Sequence, residues 1–434
     1  MLDLLTMYGN KEQKGMRTKF LKMVTVFAML QLLLVGTVEA ETAPYEIAKK
    51  HEPQASKYYQ PESAMTTTQT GQILYDYQGE DKLYPASVVK MMTFYLVYDA
   101  LDKGDLKLSN KVKITADHQG VAQLPNVSTH PIKAGQEFTV EELLQQAVMV
   151  SSNAATMVLA ERVSGDTSTF TKQMNDKARA FHMKDTYFTN PAGLDNAWLL
   201  QYAPKDFQNA GKPTSTAYDL SILANRLVKD HPEILEISKL RTSKQQGGTL
   251  HTTNYSLPGE ANGMDGVDGL KTGTSDTAYH FMLTAKQQDL RLQTAVLTVA
   301  PFNDNSAKHA RHIVANGITK EMFERYTYKK VLSKGEHRIQ DKKYEVKQDL
   351  YDVVPKNMKI TDKDFKIDEE NQRITLNYQR QFLTGYQAPS VAIEKKGFEL
   401  FGKEPWPPLM IVGGLFLVML LTGFALWLGR KMRV

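Results

Sequence analysis

Three rhythms of hydrophobic and polar positions run along the chain between two strongly apolar ends. Over residues 62–85, "ESAMTTTQTGQILYDYQGEDKLYP", β-branched and aromatic runs are broken at Gly71 and at Gln78-Gly79-Glu80, which predicts a pair of strands. Directly behind them "MMTFYLVYDAL" is apolar almost all round, the pattern of a buried helix. Residues 141–163 carry helical spacing on both sides of a polar interruption, Ser151-Ser152-Asn153. Residues 277–300 read as two strands around a Gln287-Gln288-Asp289 turn. In "AKHARHIVANGITKEMFERY", Ile313, Val314, Ile318, Met322 and Phe323 recur at the spacing of a helix that packs on a sheet. After Tyr326 the runs shorten and alternate, as in "QRITLNYQ", which predicts a small all-β domain over 327–396.

The two ends differ from each other. Lys19 and Lys22 precede an uncharged stretch from Met23 to Val38, and Val38-Glu39-Ala40 offers the small residues read by a signal peptidase, so 1–40 is expected to be a signal peptide. Met16, with Arg-Thr-Lys behind it, is an alternative start to Met1. At the other end the chain is uncharged from Leu409 to Gly429, and Arg430, Lys431 and Arg433 follow. That pattern predicts a membrane span over 409–429 and a cytoplasmic tail over 430–434. "GKEPWPP" lies within a stiff linker, 397–408, with Trp406 near the membrane interface. The expected location is the extracytoplasmic face of the cell membrane, with a catalytic domain over 41–326.

The chain has 434 residues, 42% hydrophobic and 23% charged, an ordinary globular composition with room for more than one domain. A net charge of +5 with scattered lysines gives no basic stripe for nucleic acid. With 0 cysteines, disulfides, thiol catalysis and Cys-ligated zinc are excluded. His309 and His312 could begin a metal site, but no third ligand stands near them in sequence, and an exposed helix face is the expectation.

Three polar signatures interrupt the pattern: Ser87-x-x-Lys90 in "YPASVVKMMT", Ser151-x-Asn153, and Lys271-Thr272-Gly273 within "GVDGLKTGTSDTAYH". Taken singly, Ser87 suits a helix N-cap, Ser151 to Asn153 a loop, and Lys271 a strand end. A lysine in an apolar helix must nevertheless be paired or have a use, and Lys90 sits one turn from Ser87 on the same face. A serine hydroxyl needs a base to take its proton, and a lysine can be that base once burial and a second cation lower its pKa from about 10.4.

In this order the three signatures resemble the motifs of the penicillin-recognising serine acyltransferases, and the flanks "LYPASVVKMMT", "MVSSNAAT", "FTNPAGL" and "VDGLKTGTSDTAYH" are similar to those of low-molecular-mass D-alanyl-D-alanine carboxypeptidases. The resemblance spans roughly residues 60 to 400. It implies an α+β, β-lactamase/transpeptidase-like domain, an antiparallel sheet with flanking helices, and then the small β domain and the anchor. It implies Ser87 as nucleophile, Lys90 as general base and Ser151 as proton relay. Asn153 would bind the substrate amide, and Lys271, Thr272 and Thr274 its carboxylate. The N–H groups of Ser87 and Thr274 would form the oxyanion hole, and Gly273 would let a substrate strand lie against the backbone. The implied partners are peptidoglycan stem peptides ending in D-Ala-D-Ala and β-lactam inhibitors, with no metal or organic cofactor. The Ser-Ser-Asn form, where many relatives have Ser-Gly-Asn, is expected to alter the cleft floor.

Two alternatives share these motifs. A class A β-lactamase would add a glutamate with asparagine four residues on. Glu161, Glu233, Glu236 and Glu260 are the only glutamates between Asn153 and Lys271, and none has asparagine at that offset. The other is a membrane-tethered peptidoglycan binder without turnover.

Overall fold

A computed structural model of the protein describes residues 42–396 and 417–427. Two compact units divide them, one made of the chain up to Lys329 with Val353–Met358 and Gln379–Ala388, the other of Lys330–Asp352, Lys359–Tyr378 and the chain from Pro389 onward.

The first unit is built on a six-stranded antiparallel sheet. A short helix, α1 (Pro44–His51), precedes the predicted strand pair, β1 (Ser63–Thr68) and β2 (Gln72–Tyr77). The apolar run after Ser87 forms α2 (Lys90–Asp102), buried from Lys90 through Tyr98 as its pattern requires. The segment 141–163 splits into α3 (Val140–Met149) and α4 (Asn153–Ser164). Then come α5 (Thr167–Ala180), α6 (Ala217–Asp230), β3 (Val267–Thr274), and the hairpin β4 (Tyr279–Gln287) and β5 (Leu290–Val299), turned where expected. The long helix α7 (Asn305–Arg325) closes the series. Strand order across the sheet is Gln381–Phe382, β2, β1, β5, β4, β3.

The period of two decides what each sheet face covers. On β4, Tyr279, Phe281, Leu283 and Ala285 join the core under α1 and α7, whereas Met282 joins the larger core formed by α2, α3, α4 and α6. A polar ladder threads the α7 side: Thr66 and Thr294 hydroxyls are 3.0 Å apart, and Thr294 and Thr319 2.7 Å.

The second unit contains a five-stranded antiparallel sheet in the order 335–339, 342–346, 390–395, 373–376, 365–368. Alternate residues Tyr344, Val346, Ile374, Leu376, Val391 and Ile393 are buried in it. The all-β run expected over 327–396 is interrupted, because Gln381–Phe382 leave this unit to edge the large sheet against Ile73 and Gln72. Two-residue strands give too little alternation to be read from sequence.

The proposed signal peptide, the linker and, within the proposed span 409–429, residues 409–416 and 428–429 lie outside the described residues. Residues 417–427 are helical. Among the described residues no helix is long and apolar enough to cross a membrane.

Candidate active site

The three signatures meet at the sheet edge formed by β3. Ser87 lies in a single 3₁₀ turn, Ala86–Val89, that leads into α2. Its side chain does not cap the helix, so the N-cap reading fails. Ala86 has φ +48, a left-handed conformation costly for a residue with a Cβ, and this bend turns Ser87 toward the cleft. Lys90, fully buried, is the first residue of α2.

The second signature sits at the break between α3 and α4. Ser151 takes φ +60, which ends the first helix, and the Ser152 hydroxyl accepts from the Ala155 N–H at 3.2 Å to cap the second. Ser152 is fully buried, so the Ser-Ser-Asn form supplies a helix cap, and its hydroxyl also accepts from the His130 N–H at 3.3 Å beside cleft-lining Ser128. Asn153 thereby becomes the first residue of α4, and its Nδ2 donates to the Ser128 carbonyl at 2.9 Å.

Lys271, Thr272, Gly273 and Thr274 are the last residues of β3. The packing gives Gly273 a reason of its own. A Cβ there would meet the Pro85 carbonyl oxygen and Val88 Cγ2, each at 2.9 Å, so glycine lets β3 close against the turn that carries Ser87.

Lys90 Nζ is 2.9 Å from Ser87 Oγ, 2.7 Å from Asn153 Oδ1 and 2.6 Å from the Ala192 carbonyl oxygen. The last two can only accept. A neutral amine has two N–H groups and one lone pair, so with both N–H groups engaged the lone pair is left facing the Ser87 hydroxyl. Burial, with the neighbouring Lys271 adding to it, pushes the Lys90 pKa well below an ordinary lysine, which favours that neutral form.

Lys271 Nζ donates to Ser151 Oγ at 3.0 Å and to the Thr272 carbonyl at 2.7 Å. Burial and then Arg311 push its pKa down to about 7. Arg311, which the sequence reading passed over, is fully buried and donates to the Gly273 carbonyl at 2.7 Å. Its signal was present, since Ala307, Arg311, Val314, Ile318 and Met322 form one helical stripe. His312 is buried too, not on an exposed face: its Nδ1 is 3.1 Å from Ser256 Oγ, its ring packs on Phe281, and burial pushes its pKa down. Neither His309 nor His312 belongs to a potential metal cluster among the described residues.

A cavity of about 740 Å³ opens at Ser87, lined also by Asn153, Trp198, Thr274 and Phe302. Beside it a smaller one of about 250 Å³ is lined by Ser151, Thr272, Thr274, Lys308 and Arg311, a basic pocket with hydroxyl donors. A serine whose hydroxyl faces a buried amine of lowered pKa, beside a basic pocket, defines a serine-type acyl-transfer site.

The comparisons give that class a family. Residues 49–300 match the D-alanyl-D-alanine carboxypeptidase family and 328–394 a domain of unknown function. The chain is 31% identical over 288 residues to the D-alanyl-D-alanine carboxypeptidase DacF of Bacillus subtilis, covering 64% of this chain and 68% of that one. It is 31% identical over 238 residues to DacC of Escherichia coli, covering 52% and 54%, so the match spans about half of that relative. Among solved structures, penicillin-binding protein 3 of Streptococcus pneumoniae, a peptidoglycan synthesis regulatory factor, superposes with a TM-score of 0.66 at 27% identity, over 77% of this chain and 98% of that one. The ampicillin-bound penicillin-binding protein D2 of Listeria monocytogenes gives 0.51 at 27% identity, over 61% and 97%. The chain belongs to the D-alanyl-D-alanine carboxypeptidase family of serine-type hydrolases, with the penicillin-binding-protein fold and a small β domain behind it.

Proposed function

We propose that this chain removes the terminal D-alanine from peptidoglycan stem peptides through an acyl-enzyme on Ser87. The observation that carries the reading is the Lys90 amine, whose two acceptors leave its lone pair facing the serine hydroxyl. Ser87 Oγ attacks the carbonyl carbon of the penultimate D-alanine while Lys90 takes the hydroxyl proton. The Ser87 and Thr274 N–H groups receive the oxyanion, a contribution of about 3 kcal/mol per donor. Ser151 relays the proton held by Lys90 to the departing D-alanine amine, and the C–N bond breaks to leave an ester on Ser87 and a neutral Lys90. Water then hydrolyses the ester, with Lys90 again as base.

The basic pocket of Arg311 and Lys308, with Lys271 bonded to its Ser151 hydroxyl, favours a substrate that ends in a carboxylate, which sets an exopeptidase apart from an internal peptidase. A β-lactam, whose carboxylate and reactive amide imitate that terminus, would acylate the same serine. The uncharged run 409–429 and its basic tail support attachment to the outer face of the cell membrane, with the β domain as spacer or interaction module. Incubation of the purified full-length chain with a pentapeptide ending in D-Ala-D-Ala should release free D-alanine, and Ser87→Ala should release none. Acylation by penicillin without D-alanine release would make the chain a binder instead.

A further inference from the structure

The segment Thr189–Leu194 supplies one backbone carbonyl to the site, and its shape depends on one side chain. Asn190 is fully buried. Its Oδ1 accepts from three consecutive N–H groups, those of Ala192 at 3.0 Å, Gly193 at 2.7 Å and Leu194 at 3.3 Å. Its Nδ2 donates to the Leu194 carbonyl and to Asn196 Oδ1, both at 2.7 Å. The loop is therefore wound around its own asparagine. It is also pinned to the Ser87 region: the Thr93 hydroxyl donates to the Pro191 carbonyl at 2.7 Å, and the Tyr84 hydroxyl to the Gly193 carbonyl at 3.1 Å. Gly193, at φ +77, passes so close that a Cβ would lie 2.3 Å from the Ala86 carbonyl oxygen. So anchored, the Ala192 carbonyl is held at 2.6 Å from Lys90 Nζ.

The amine's hydrogen-bond inventory makes that carbonyl consequential. Without it, one N–H of a neutral Lys90 would lack an acceptor in a buried site and would turn to Ser87 Oγ. The lone pair would then face away from the proton it must take. We propose that Asn190 is a positioning residue for acylation, which fixes the Ala192 carbonyl, holds the Lys90 lone pair on the Ser87 hydroxyl and keeps water from the amine. The inference rests on the reading of Lys90 as the base. The charged group that faces Lys90 is Lys271 on β3, with Arg311 of α7 beyond it, and His280 of β4 is held neutral by burial. The loop 189–194 and the first turn of α4 contain no ionisable side chain, so no other charge competes from those elements.

The test follows the rate constant for acylation of Ser87 by a fluorescent penicillin, per labelled site, from pH 5 to 10, in the full-length chain. Counting only labelled sites removes any loss of folded protein from the rate. In Asn190→Leu the loop loosens, water reaches Lys90, and burial depresses its pKa less. The acid limb of the profile should move to higher pH by about one unit or more, with about a tenfold loss at neutral pH that recovers as pH rises. Asn196→Ala, which removes one Asn190 partner and the Asn196 bonds to the Thr189 and Phe207 carbonyls but keeps Asn190 on its three N–H groups, should move the limb the same way by less, and it decides the matter if Asn190→Leu does not fold. An acid limb that stays in place, in Asn190→Leu if it folds or otherwise in Asn196→Ala, overturns the proposal whatever happens to the rate. Lys90→Gln, run in parallel, separates the two failures: if it still acylates, the base assignment itself falls, and if it does not while the limb stays fixed, only the role of Asn190 falls.

Discussion

Lys271→Met should stabilise the protein at acidic pH while disabling its cleft. The lysine is 1% exposed, and its amine titrates at about 7 in the fold against 10.5 for an ordinary lysine. Because the folded value is the lower one, the unfolded chain holds the proton more tightly throughout that interval. The resulting destabilisation is complete below about pH 7 and disappears as pH rises past 10.5. At about 1.36 kcal/mol per pH unit, the full effect is about 5 kcal/mol. Methionine fills similar space without a charge and removes this cost, but it forfeits the bonds to Ser151 Oγ and the Thr272 carbonyl, together about 2–3 kcal/mol. The variant should thus be more stable than the parent by about 2 kcal/mol at pH 6 and less stable by a similar amount near pH 10. Lys90 adds to the swing in the same direction, since Lys271 is the second cause of its low pKa. Urea unfolding of both proteins at each pH unit from 6 to 10, followed by circular dichroism, measures the difference. A stability difference equal at pH 6 and pH 10 would refute the reasoning, because lost hydrogen bonds alone carry no such pH dependence.

Three further outcomes are expected. Lys90→Arg keeps the charge but cannot act as a base, and acylation by penicillin should fall by about 10²–10⁴-fold, read as the rate of labelling. Penicillin should add its mass to the peptide containing Ser87 and never to Ser87→Ala, and the adduct should outlast the peptide acyl-enzyme; loss within seconds with accumulating penicilloate would point to a β-lactamase. Gly273→Ala places a Cβ 2.9 Å from the Pro85 carbonyl oxygen and should destabilise the chain by about 1–3 kcal/mol in urea unfolding while slowing acylation.

Much of this site was legible because its chemistry imposes residue types at fixed spacings. Ser87, Lys90, Ser151, Asn153 and Lys271 stand out as polar residues inside apolar rhythms, and the hairpin β4–β5 is visible in its period of two. What stayed hidden depends on neighbours distant in sequence. Gly273 answers also to the turn after Pro85, and Ser152 to the helix it caps, and neither role can be read from the motif itself. His312 was placed on an exposed face because two histidines on a helix look polar, although Phe281 from β4 covers it. Backbone groups leave no trace in a sequence: nothing in the letters "NPAGL" says that the Ala192 carbonyl meets a lysine.

The sheet register has a temporal consequence. β1 lies beside β5, with Ala64 opposite Val296, so the centre of the sheet joins the two far ends of the catalytic unit. Ser87 and Lys90 belong to the early part of the chain, and Lys271 and Arg311 to the late part. A partly emerged chain can form α2, but it cannot bury Lys90 beside Lys271, and an exposed lysine stays protonated and useless as a base. Reactivity toward acyl donors therefore appears only when about 300 residues have come together. Half-folded copies that lack the Lys90–Lys271 neighbourhood should hold an ordinary serine and should neither hydrolyse peptide nor capture a β-lactam.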